Sequence, residues 1–161
     1  MTADPGVLTR EVFIAAPPEI VFRFLIDPRL MAKWIGLSHE LEPRPGGLFR
    51  VEVSRGNFAR GRYVVVTPPT RVAFTWGWET ANSELAMLPP EASLVEIDLE
   101  PRDGGSLLRL RHSRLPADAV AIHRERWSVY LDRMPSAVLD SALAAARRAA
   151  QETNLETNLG R

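Results

Sequence analysis

The chain of 161 residues is long enough for one domain with a buried core and too short for two comfortable ones. Its 45% hydrophobic and 25% charged residues are those of an ordinary globular protein, and a formal net charge of zero supplies no field to attract nucleic acid or an acidic membrane surface. With no cysteine, disulfides, thiolate nucleophiles and zinc–thiolate sites are excluded together.

Met1 to Arg10 holds no apolar signal core behind a basic start, and no stretch approaches the ~18 apolar residues of a membrane span. A cytoplasmic protein without nucleic-acid or membrane partners is expected. Leu8 to Ala15 alternates as a first strand, which Pro17-Pro18 stops. Pro18 suits the first turn of a helix, Glu19 favours its N-terminus, and Ile20, Val21, Phe24 and Leu25 give it an apolar face. Asp27-Pro28 breaks this helix, and Asp27 can cap a second short one through Lys33 and Trp34.

After Gly36, strand signals alternate with turn signals. Leu37 to Leu41 leads into the turn Pro43 to Gly47. Leu48 to Ser54 puts Phe49, Val51 and Val53 on one face, and Arg55-Gly56-Asn57 connects it to a strand over Gly61 to Thr67. Beyond Pro68-Pro69, the strand Arg71 to Glu79 aligns Val72, Phe74, Trp76 and Trp78. Thr80 to Ser93 is the longest irregular piece, with Leu85, Met87 and Leu88 beside Pro89-Pro90. A mobile lid, a contact between two copies in a homodimer, and plain packing are all open for it. Leu94 to Glu100 and Ser106 to Leu115 form a hairpin through Asp103-Gly104-Gly105. Val95, Ile97 and Leu99 face inward with Leu108, Leu110 and His112, while Glu96, Asp98 and Glu100 meet Arg109, Arg111 and Arg114 as charge pairs on a solvated face.

From Asp118 to about Arg148 the chain reads as one long amphipathic helix. Val120, His123, Trp127, Tyr130, Leu131, Met134 and Val138 recur at spacings of three and four. Pro135 should kink it. Residues 151–161 are polar and expected to fray, leaving a core over about 8–150 within a single domain, 1–161. The order of elements predicts an α+β helix-grip fold: an antiparallel six- to seven-stranded sheet wrapped around a long C-terminal helix, with two short helices after the first strand.

The inward positions carry large aromatics and histidines where a tight core uses Leu, Ile and Val. A cavity between sheet and helix is therefore expected, lined by Phe49, Tyr63, Phe74, Trp76, Trp78, Ile97, Leu110, Trp127, Tyr130 and Leu131, with Phe24 and Trp34 closing one end. The hollow is expected beneath the helix, between Trp76 and Trp127. His112 and His123 have two readings. They contact a ligand or act as general acid and base, or they cap a helix–sheet contact as satisfied buried groups. No HxxxH or HxH pattern brings His39, His112 or His123 into a metal-ligand spacing. The paired glycines sit in hairpin turns, unlike phosphate loops, and no serine lies in a nucleophile elbow. No cofactor is implied.

Ala16-Pro17-Pro18-Glu19-Ile20-Val21-Phe22, followed by Asp27-Pro28 and Trp34, resembles the opening of the START-like, birch-pollen-allergen-like (SRPBCC) superfamily. Glu42 to Arg50, Val66 to Trp76 and His112 to Trp127 narrow the resemblance to bacterial homologues of the activator of heat shock protein 90 ATPase. It spans roughly Leu8 to Met134. The resemblance implies a sheet gripping the long helix over an elongated apolar cavity, and members range from lipid carriers to polyketide cyclases. Members often carry Gly just before the helix Trp; Arg126 stands there, so it narrows the space or guards an entrance. The expected function is binding of a small hydrophobic or aromatic ligand. The alternatives are a polyketide cyclase- or dehydratase-like enzyme using the same cavity, and a chaperone-ATPase activator or stress-response interaction module.

Overall fold

The computed structural model describes residues 6–160; residues 1–5 of the segment read for a signal core, and Arg161 of the tail, lie outside them. Strand β1 (Leu8–Ile14) is followed by helices α1 (Pro18–Arg23) and α2 (Pro28–Met31). Pro18 and Pro28 occupy the first turns, and the Asp27 side chain accepts from Arg29 N at 2.8 Å, capping α2. Strands β2 (Ser38–Leu41), β3 (Leu48–Ser54), β4 (Asn57–Thr67), β5 (Arg71–Trp76) and β6 (Trp78–Glu79) follow, then the short helix α3 (Ser83–Ala86). Strands β7 (Ser93–Arg102) and β8 (Gly105–Ser113) precede a 3₁₀ turn (Ala117–Ala119) and helix α4 (Val120–Leu159).

All strand pairs are antiparallel, in the order β1-β8-β7-β5-β4-β3-β2, with β6 pairing β4. The sheet has eight strands rather than six or seven, because Gly77 divides the expected strand Arg71 to Glu79 into β5 and β6. A Cβ on Gly77 would run into the Pro89 carbonyl oxygen, so the glycine lets residues 80–92 lie against the strand. That segment is anchored: Leu85 and Leu88 are fully buried, and Trp78 N donates to Leu88 O at 2.9 Å.

Alternation sets the faces. Val51, Val72, Val95, Ile97 and Leu108 are buried on the concave face, against which α4 lays His123, Trp127, Leu131, Met134 and Val138. On the convex face Arg111 pairs with Glu96 at 3.1 Å, Arg109 with Glu100 at 2.8 Å, and Arg71 with Asp98 at 2.9 Å. Arg114 joins none of these pairs and adopts a positive φ of 62°. Helix α4 holds Pro135 and continues through Gln151 to Leu159, beyond the end read near Arg148. At 40 residues it is ~60 Å long, and from Ala146 onward every described residue is exposed. No helix among the described residues is long and apolar enough to cross a membrane.

Candidate ligand site

The concave face brings nine of the expected site residues into one ring cluster. Phe49 (β3) stacks on Phe74 (β5) with centroids 4.0 Å apart and planes 13° from parallel, and Tyr63 (β4) meets both edge-on. Trp76 continues the row, 6.0 Å from Phe49 and 6.3 Å from Phe74. Around Trp76 stand Trp78 at 5.3 Å, His112 at 6.0 Å and Trp127 at 5.1 Å. His123 lies 5.3 Å from His112, and Tyr130 lies 6.1 Å from Trp127. Such spacings are those of rings in contact. The hollow expected between Trp76 and Trp127 is therefore filled: indoles from sheet and helix meet directly, because each is bulky enough to span half the gap.

Ile97 and Leu110 pair across β7 and β8 and are buried, as is Leu131 on α4. Trp34 is tied elsewhere, its Nε1 donating to Phe24 O at 2.9 Å. Phe24 lines a separate groove of about 320 Å³ between α1 and residues 141–148 of α4. Tyr63 donates its hydroxyl to Leu25 O at 3.3 Å, and burial pushes its pKa up.

The two histidines link this cluster into a hydrogen-bond network whose proton positions follow from its donors. Trp127 Nε1 donates to His112 Nδ1 at 3.0 Å, so the imidazole proton of His112 sits on Nε2 and is donated to Ser93 Oγ at 2.7 Å. Ser93 in turn donates to Trp76 O at 2.7 Å, across the β5–β7 register that sets Trp76 opposite Ser93. Trp78 Nε1 donates to His123 Nε2 at 3.0 Å, leaving Nδ1 to donate to Ala119 O, one helical turn back, at 2.7 Å. All four imidazole nitrogens are engaged, so none is free to meet a substrate. Desolvation, reinforced by its His123 neighbour, holds His112 well below the usual histidine range. Burial also lowers His123; the Ala119 carbonyl opposes this, and the Arg126 charge adds to it. Both rings are neutral at pH 7.

Ser93 is not among the residues expected from the sequence, because nothing in its own strand marks it; its role arises from register. Trp76 Nε1, inside the cluster, is the one buried side-chain polar atom among the described residues without a hydrogen-bond partner. Among those residues no group of three or more His, Cys, Asp or Glu could hold a metal ion.

Open space lies beside the cluster. A cleft of about 490 Å³ runs between the end of β3 and α4, walled by Val53, Ile122, Val129 and Tyr130 and edged by Ser54, Glu125, Arg126 and Arg133. Tyr130 is shared by cleft and cluster. The Arg126 guanidinium carbon lies 5.5 Å from the Trp78 ring centroid, and its Nη1 is 3.5 Å from the Tyr130 hydroxyl; the Arg133 guanidinium carbon lies 5.8 Å from the Tyr130 ring centroid. The signal that finds this cleft is a second stripe on the helix, Ile122, Arg126, Val129 and Arg133, next to the core stripe. A slightly larger depression on the convex face, about 510 Å³, is lined by Glu11, Asp98, Arg109 and Arg111, which are paired with one another or with neighbours, and by Arg10, which joins no ion pair among the described residues.

Residues 15–138 match the family model described as activator of Hsp90 ATPase homolog 1-like protein. Among curated proteins none matches the chain. The AHSA1-like protein of Rhizobium etli, solved by NMR, is 44% identical over 82% of this chain and 81% of its own, with a TM-score of 0.63. The Aha1 dimer from Colwellia psychrerythraea is 17% identical, covering 82% of this chain and 95% of that one at a TM-score of 0.67. DynU16, of the dynemicin biosynthetic locus, is 24% identical over 83% of this chain at a TM-score of 0.70, and this chain spans 47% of its length. Helix-grip architecture, a family model covering most of the sequence and a well-matched relative agree: the chain belongs to the activator of Hsp90 ATPase homolog 1-like family, within the START-like superfamily.

Proposed function

We propose that this chain is a binding protein for a small, ring-containing apolar molecule held between the sheet and α4. The molecule enters by the cleft at Val53 and Tyr130, and its inner end reaches toward Trp76. The observation that carries this reading is the unpartnered indole N–H of Trp76, a residue 1% exposed at the centre of the ring cluster. A buried donor left unsatisfied costs ~1–3 kcal/mol, a penalty that a ligand carbonyl at that point removes. Tyr130 and then Trp127 separate the cleft from Trp76, so the route requires both rings to swing aside when the ligand enters. The surrounding rings offer flat apolar surface suited to an aromatic body.

The test is a fluorescence titration with prodan, a neutral naphthyl ketone, beside anilinonaphthalene, a neutral dye of similar size without a carbonyl. Saturable binding of both dyes is expected, with Trp76→Phe weakening the ketone roughly tenfold and leaving anilinonaphthalene unchanged. Absence of saturable binding, or equal loss for both dyes, refutes the reading.

A further inference from the structure

The cleft beside Tyr130 carries charge that the apolar reading does not use. Arg126 and Arg133 are seven positions apart, two helical turns, and so stand on one side of α4 with Tyr130 between them. Eleven ion pairs engage eight other arginines among the described residues; neither Arg126 nor Arg133 joins any of them. Their guanidinium groups are held instead by aromatic contacts, Arg126 over Trp78 and Arg133 over Tyr130. Arg126 is half-buried, and both side chains line the cleft whose walls are Val53, Ile122 and Val129. Glu125 is the single acid in the lining, so two cations face one carboxylate there.

Other described arginines also lack an ion pair; Arg126 and Arg133 differ from them in being held side by side on aromatic rings at the mouth of an apolar cleft, and that placement marks a seat for an anion. A guanidinium offers several N–H donors in a planar fork, and against an oxyanion these become charge-assisted hydrogen bonds. The aromatic faces hold both forks at the rim, and of their donors only Arg126 Nη1 is engaged among the described residues, by the Tyr130 hydroxyl at 3.5 Å. We propose that the cleft recognises an amphipathic anion, an aromatic or apolar body bearing one carboxylate- or sulfonate-type head group at Arg126 and Arg133. This rests on the ligand-binding reading above and adds to it the head group, and with it the orientation in which the ligand enters. The apolar end goes inward past Tyr130, and the oxyanion stays at the rim.

The test uses a matched pair of dyes, anilinonaphthalene and anilinonaphthalene sulfonate, which share a ring skeleton and differ by the oxyanion. In low-salt buffer the wild-type chain is expected to bind the sulfonate roughly tenfold more tightly, as two partly solvated charge contacts allow. Raising the salt to about 0.5 M should shrink the preference. In the double variant Arg126→Gln, Arg133→Gln the ratio of sulfonate to neutral-dye affinity should fall to about twofold or less, with melting temperature and near-ultraviolet dichroism recording that the fold is kept. Glu125→Gln, which removes the opposing carboxylate, should strengthen sulfonate binding about two- to threefold. Binding of the neutral dye with no sulfonate preference overturns this proposal alone, as does a tenfold preference that survives the double variant. Binding of neither dye overturns the ligand reading and this one with it.

Discussion

Three tryptophans in one cluster, equally buried but differently hydrogen-bonded, allow the network to be tested by a single kind of substitution. Trp76, Trp78 and Trp127 are 1%, 3% and 2% exposed, so Trp→Phe removes much the same buried ring surface at each, ~2 kcal/mol of transfer and cavity energy. The indole N–H separates them. Trp127→Phe strips His112 Nδ1 of its donor, and Trp78→Phe does the same to His123 Nε2; each leaves a buried acceptor unpaired, a further ~1–3 kcal/mol. Trp76→Phe removes a donor that has no partner, so relief of that penalty offsets the lost surface and the net change lies within ~1 kcal/mol of zero. The expected order is a loss of ~3–5 kcal/mol for Trp127→Phe and Trp78→Phe against almost none for Trp76→Phe. Urea unfolding at pH 7.5 with unchanged m values measures the differences, and each kcal/mol corresponds to ~2–4 °C in melting temperature for a chain of this size. Equal losses at the three positions, within ~0.5 kcal/mol, would refute the assignment of donors and acceptors. The same Trp76→Phe chain should be the one that loses affinity for a ketone ligand, so the position that costs stability least is the one that binding needs.

The histidines give the network a pH signature. Both are held below the ordinary value of 6.5 in the fold, so below about pH 6.5 the unfolded chain takes up protons that the native chain refuses. Stability is therefore full above that pH and falls on acidification by up to ~1.4 kcal/mol per pH unit for each imidazole, until the native groups themselves titrate. Urea midpoints between pH 7.5 and 5 isolate this effect, because Glu79 and Glu96, lowered by their arginine partners, lose their contribution only below about 4.5. A flat profile, or one unchanged in His112→Leu, contradicts it. Gly77→Ala should cost ~3 kcal/mol or more, since its Cβ meets the Pro89 carbonyl oxygen and residues 80–92 must move; thermal melts check this, and a loss under ~1 kcal/mol removes the argument. Deleting residues 151–161, whose described members are all exposed, should change stability by less than ~0.5 kcal/mol in the same assay, and a larger loss would mean that the end of α4 packs on something.

What could be read from the sequence follows from the range over which each signal acts. Periodicity belongs to one element at a time, so the alternation of Phe49, Val51 and Val53 and the three-and-four spacing from His123 to Val138 named strand, helix and inward face correctly. Gly77 could not be read as a strand break, because its reason is Pro89, twelve residues away and meaningful only once the segment folds back. The supposed hollow failed for a related reason. Whether rings on facing elements leave space depends on register and rotamer together, and the register that sets Trp76 opposite Ser93 also lets His112 bridge Ser93 to Trp127. Polar tips among aromatics pointed to a pocket, yet a buried imidazole must be satisfied, and indole N–H groups from two other elements satisfy it more cheaply than an absent ligand can. A ligand can therefore use only what that internal pairing leaves over. Two features qualify: the donor of Trp76, and the arginines of a second helical stripe that no carboxylate has claimed. That stripe is written in the sequence as Ile122, Arg126, Val129 and Arg133 at spacings of four, three and four, but its alternation of apolar and charged residues lacks the continuous apolar character that marks a core face.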